Sequence, residues 1–208
     1  GEHRMTNLTE APGSQRISAP NVRIWLADLT YTQQTVASDV MPAAVGGIAT
    51  FTETLVDLDS SIRIFKYPNR LVEALNSEGP PDIIGFSNYV WNSRLSYSFA
   101  KAVKTANPST VTVFGGPNYP VNKDEQIAWL RGWPLVDFVI IKEGELTVAR
   151  LVQALIAANW DVEAVKRQAL ASVHSVTRED IPVISDTVGR IRDLTQIPSP
   201  YTNGRLDE

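Results

Sequence analysis

The chain has 208 residues, a formal charge of −4 and 43% apolar side chains, the balance of a folded globular protein rather than a disordered segment. That charge leaves no general basic surface for nucleic acid or an anionic membrane, and no stretch approaches the roughly 18 apolar residues of a membrane span. There is no cysteine, and His3 and His174 are the only histidines, so these residues offer no thiolate for a disulfide, zinc or an iron–sulfur cluster and almost nothing for a Ser-His-Asp or Cys-His site.

The length suits one core with an extension. Residues 1–20 are polar, lack apolar periodicity and lack the apolar heart of a signal peptide, which predicts a flexible leader on a cytoplasmic protein. A first strand is expected over Val22–Asp28, a short apolar run suited to burial on both faces of a parallel sheet. A first helix follows from Asp39, where Val40, Ala44, Val45, Ile48, Phe51 and Leu55 recur at helical spacing. Ser61–Tyr67 reads as strand two. Pro68 opens a second helix in the favoured first-turn position, and Gly79-Pro80-Pro81 stops it.

Asp82–Ser87 reads as strand three, with a helix through Leu95, Phe99, Ala102 and Val103 behind it. Thr110–Phe114 forms strand four, broken at Gly115-Gly116-Pro117, and a helical stretch runs from about Lys123 to Leu130. Val136–Ile141 forms strand five, followed by a helix through Val148, Leu151, Val152 and Leu155. Asp161–Leu170 reads as a short helix and Ser172–Arg192 as a small β-hairpin. The alternation predicts an α/β fold, a doubly wound five-stranded parallel sheet of the flavodoxin-like or Rossmann-like type with order 2-1-3-4-5 and a small C-terminal hairpin extension.

In such a sheet the loops after strands one, three, four and five share one edge, so Thr30, Ser87, Gly115 and Glu143 should converge on a common crevice. The Gly115-Gly116 pair lets backbone approach a bulky ligand, with Pro117 stiffening the exit; taken alone it is also a tight strand-to-loop turn. Glu143-Gly144-Glu145 places carboxylates at a helix start, where they could accept hydrogen bonds from a ligand or cap the helix. Ser87-Asn88-Tyr89-Val90-Trp91-Asn92 mixes polar groups with aromatic faces, suited to a large amphipathic ligand, unless Tyr89 and Trp91 return to the core. Asp28 stands at the end of strand one without companion acids, and a lone acid there is more often a cap than a phosphoacceptor. No Walker loop and no GxGxxG follows strand one, which disfavours nucleotide and dinucleotide binding. No catalytic residue and no metal ligand is assigned.

Three landmarks in this order, Val113-Phe114-Gly115-Gly116-Pro117, Asp137–Glu145 and Asp193-Leu194-Thr195-Gln196-Ile197-Pro198-Ser199-Pro200-Tyr201, make residues 22–201 resemble the N-terminal cobalamin-binding domain of cobalamin-dependent radical-SAM enzymes. The resemblance implies a cobalamin-binding domain over residues 21–171 and a hairpin and connector over 172–208, leading to a radical-SAM domain in cis that would carry SAM and a [4Fe-4S] cluster. It places cobalamin across the strand ends. The nucleotide tail would lie near Ser87, Asn88, Tyr89, Val90, Trp91, Gly115, Gly116, Pro117 and Asn118, the corrin over Leu29, Thr30, Tyr31 and Thr32, and Glu143, Gly144 and Glu145 at the flank. Another branch of cobalamin proteins uses DxHxxG after strand one to supply a histidine ligand; here the stretch is Asp28-Leu29-Thr30-Tyr31-Thr32-Gln33, which implies base-off cobalamin without histidine ligation. The intact enzyme would then resemble methyltransferases, while the 208 residues alone would not catalyse.

Two other readings stand beside it. A flavodoxin-like regulatory or interaction domain would have its pocket filled by aromatic side chains such as Tyr89 and Trp91. A hydrolase or transferase would need Glu143 or Glu145 as a general base with a raised pKa, and no partner for that role is evident.

Overall fold

A computed structural model describes residues 22–29, 62–142 and 144–185 of the chain. Its elements are β1 (Ile24–Ala27), β2 (Ile62–Phe65), α1 (Pro68–Glu78), β3 (Ile83–Ser87), α2 (Ser93–Ala106), β4 (Val111–Gly115), α3 (Lys123–Gly132), β5 (Phe138–Ile140), α4 (Gly144–Ala157), α5 (Val162–Arg167), β6 (Val173–Val176) and β7 (Pro182–Ile184). The helix expected from Asp39 to Leu55 lies outside the described residues.

The strands form one seven-stranded sheet in the order β2-β1-β3-β4-β5-β6-β7. The first five are parallel and take the expected 2-1-3-4-5 order. The hairpin continues the same sheet, because β6 pairs antiparallel with β5 and β7 with β6. Its turn closes with Thr177 N donating to the Ile181 carbonyl at 2.9 Å and Asp180 N to the Thr177 carbonyl at 2.9 Å.

Central strands read as unbroken apolar runs because both sheet faces are covered; Ile24, Trp25, Leu26 and Ala27 are all buried. One face carries Trp25, Ala27, Ile84, Phe86, Phe114 and Val139 against the buried residues of α1, α2 and α3. The other carries Ile24, Leu26, Ile83, Val113, Phe138 and Ile140 against Leu151, Val152 and Leu155 of α4 and Val165 of α5.

Local chemistry sets the ends. Pro68 begins α1 at its first turn, and Asn122 Oδ1 caps α3 by accepting from Asp124 N at 2.9 Å. Strand five is shorter than the expected Val136–Ile141 because Asp137 turns its carboxylate back to β4, accepting from Thr112 N at 2.9 Å and from Lys104 Nζ at 2.5 Å. This largely buried ion pair ties α2 to the amino end of the sheet, opposite the edge where ligands bind in such folds.

Candidate functional site

Side chains alternate along each strand, so register decides what one face of the sheet presents. On the α4 side one row runs Leu26, Gly85, Val113 and Phe138, and the next toward the carboxyl edge runs Ser87, Gly115 and Ile140. Each row contains a glycine between larger residues. A Cβ on Gly85 would stand 3.0 Å from Leu26 Cδ2, so the Leu26 side chain already leans over that notch.

Val148, Leu151 and Val152 of α4 supply the facing wall, and together these residues enclose a cavity of about 230 Å³. It reaches the carboxyl edge of the sheet, where Ser87, Tyr89, Gly116, Ile141, Lys142 and Gly144 also line it. The wall is almost wholly apolar, and among the described lining residues Lys142 carries the one formal charge.

The rim is rigid where β3 and β4 end. Gly116 has φ +131°, a conformation that favours glycine. Asn88 N donates to the Gly115 carbonyl at 2.5 Å, Asn118 N donates to the Asn88 carbonyl at 3.2 Å, and Asn88 Nδ2 donates to the Asn118 carbonyl at 2.7 Å. Behind them Asn92, fully buried, accepts from Tyr89 N at 2.9 Å and donates through Nδ2 to the carbonyls of Leu29 (3.2 Å) and Ser87 (3.0 Å). One amide side chain thus holds the exits of β1 and β3 together.

Beside this rim Asp28 is buried at the end of β1. Desolvation pushes its carboxyl above the ordinary range, partly offset by the Lys66 cation. Tyr89 is also pushed up, first by burial and then by the negative charge of Asp28.

Of the residues expected at the site, the structure brings Ser87, Tyr89, Gly115, Gly116 and Gly144 onto the cavity wall. Asn88 and Asn118 clasp the rim from behind, and Pro117 is exposed beside them. Val90 and Trp91 stand outside: Trp91 is 59% exposed and stacks flat on Tyr89 with ring centroids 4.6 Å apart. The aromatic filling that a disused pocket would show is therefore missing at Trp91. The Leu29 side chain is buried in the opposite core with Trp25 and Phe65. Thr30, Tyr31, Thr32 and Glu143 lie outside the described residues, as does the side chain of Glu145.

Sequence reasoning missed the apolar walls from Leu26, Val113, Ile140, Val148 and Val152, the Gly85 notch, Lys142 and the organising role of Asn92. A glycine inside an apolar strand does signal close approach of another group, and Gly85 carried that signal.

The B12 binding domain family matches residues 23–152. The chain belongs to the B12-binding domain family. Over 127 residues it is 32% identical to the cobalamin-dependent radical SAM methyltransferase TokK of Streptomyces tokunonensis, a match covering 61% of this chain and 17% of that protein. It matches the 2-(S-pantetheinyl)-carbapenam-3-carboxylate methyltransferase of Streptantibioticus cattleyicolor with the same identity and coverage. The chain thus spans about a sixth of the length of these curated relatives.

The cofactor of this B12-binding domain is cobalamin, and the residues present fit it. At about 230 Å³ the cavity is smaller than the about 300–1,000 Å³ of a pocket for a whole drug-sized ligand, so it suits a projecting part of a large cofactor. Its apolar walls suit an apolar or aromatic part of that cofactor. Gly115, where an added Cβ would meet Ile140 only at 3.7 Å or beyond, leaves room for a flat ring against the sheet. No helix among the described residues is long and apolar enough to cross a membrane.

Proposed function

We propose that this domain holds cobalamin base-off, with the benzimidazole in the cavity between the sheet and α4, the corrin across the carboxyl edge, and no histidine on cobalt. The observation that carries the reading is the slot over Gly85 and Gly115 that opens beside Ser87 and Gly116. A base seated there is withdrawn from the metal. Among the described residues His174 is the only histidine, and it does not serve as a replacement: it pairs in register with Val139, whose side chain belongs to the core on the other sheet face.

Each part of the domain has a task in this reading. The walls of Leu26, Val113, Ile140, Val148 and Val152 bind the base by excluding water. The Asn88–Asn118 clasp and the Asn92 staple orient the loops that face the corrin. When bound, cobalamin supplies a carrier for a methyl group, which in a longer protein with a radical-SAM domain, SAM and a [4Fe-4S] cluster would pass to a substrate radical. Residues 172–208 would lead toward that remaining domain. The named activities of the two methyltransferase relatives support this setting.

Electron paramagnetic resonance of the protein loaded with cob(II)alamin tests the ligation. The expected spectrum lacks nitrogen superhyperfine splitting along the axial direction, in wild type and in His174→Gln alike. Nitrogen splitting would overturn the base-off, histidine-free reading.

A further inference from the structure

We propose that Lys142 recognises the phosphodiester of the cobalamin nucleotide tail at the mouth of the cavity, an assignment that rests on the cobalamin reading above. At about 230 Å³ the cavity suits only a projecting part of the cofactor, and among the described lining residues Lys142 carries the one formal charge. Cobalamin joins its base to ribose and then to a phosphodiester that links back to the corrin. With the base inside and the corrin across the strand ends, that anionic group must pass the mouth.

The β5 side of the mouth is formed by Ile141, Lys142 and Gly144. The backbone there is held on both sides: Ile141 N donates to the Ser172 carbonyl at 3.0 Å, and the Lys142 carbonyl accepts from Thr147 Oγ1 at 3.1 Å. The peptide is thus fixed, whereas the ammonium ends a flexible four-carbon stem on an exposed side chain. Lys142 takes part in no ion pair among the described residues. A compact cation on a long stem suits a phosphate whose position shifts as the corrin settles.

The test compares hydroxocobalamin with the corresponding cobinamide, which lacks base, ribose and nucleotide phosphate, on the full 208-residue chain. Dissociation constants are read from visible spectra for wild type, Lys142→Gln and Lys142→Arg at low and at high salt. An exposed charge pair of this kind predicts about fivefold weaker cobalamin binding for Lys142→Gln at low salt. At about 1 M salt the difference should vanish, because charges are then screened within about 3 Å. Lys142→Arg should bind like wild type, and cobinamide binding should not respond to either change. A salt-independent loss, equal losses for cobalamin and cobinamide, or no loss would overturn the assignment. Failure of wild type to bind cobalamin at all would instead overturn the reading on which it rests.

Discussion

An ideal Cβ on Gly116 would stand 2.6 Å from the Asn88 carbonyl oxygen and 3.0 Å from the Asn88 amide nitrogen. The loops after β3 and β4 are therefore packed backbone to backbone at the lip of the cavity. Gly116→Ala should cost about 1–3 kcal/mol through the left-handed backbone and the clash, and should weaken cobalamin binding by moving the lip. Urea denaturation and a cobalamin titration check both effects; a variant as stable as wild type would show that the lip yields easily. Gly116→Trp would confound any block of the pocket with this strain.

Gly115 is the cleaner position for filling the cavity. Its added Cβ would meet only Ile140, at 3.7 Å from the carbonyl oxygen and 3.9 Å from Cβ, which is ordinary contact. Gly115→Val also places a β-branched residue in a strand, where it is favoured. The melting temperature should hold or rise while cobalamin binds at least about tenfold more weakly, a change of about 1.4 kcal/mol. Unchanged affinity in this variant would place the nucleotide tail elsewhere.

Asn92 satisfies one amide and two carbonyls from two different loops. Asn92→Ala should destabilise the protein by about 2–3 kcal/mol, because buried backbone groups lose partners without gaining water. Asn92→Asp should not restore stability, since a carboxylate accepts from Tyr89 N but cannot donate to the Leu29 and Ser87 carbonyls. Thermal unfolding of the two variants measures this, and a fully stable Asn92→Asp would contradict the staple.

His174 predicts a pH dependence. Its imidazole is buried with Nδ1 2.8 Å from Tyr119 Oη. Desolvation holds its pKa below the ordinary 6.5, with the nearby Ser185 backbone pulling the other way. The unfolded chain then binds this proton more readily than the folded one. The histidine contribution is fully present above about pH 6.5 and is lost as pH falls, until the folded-state pKa is reached. Asp28, with its raised pKa, works in the opposite sense as its carboxyl ionises. The comparison is therefore wild type against His174→Gln: the stability difference between pH 7.5 and pH 5.5 should be smaller in the variant. Equal differences would show that His174 does not set the slope.

Much of the fold was legible because buried parallel strands are short apolar runs bounded by turn residues, as in Ile83–Ser87 and Val111–Gly115. The shared edge followed from the same alternation, and with it Ser87, Tyr89, Gly115, Gly116 and Gly144 on the cavity wall. The rest depends on pairing that sequence patterns do not carry. Nothing local to Val173–Val176 announces that it runs antiparallel beside β5. Gly85 lines the cavity only because register sets it between Leu26 and Val113, and Lys142 is an ordinary surface lysine until α4 folds back over the sheet. Trp91, weighed as a filler of the crevice, stacks outside it on Tyr89.

The most direct measurement is anaerobic titration of the purified chain with hydroxocobalamin, followed by desalting and a visible spectrum. The account predicts that cobalamin stays with the protein after desalting and shows the spectrum of the base-off form. Cobalamin lost on desalting, or retained with the spectrum of the base-on or histidine-ligated form, would contradict the seating of its base between the sheet and α4.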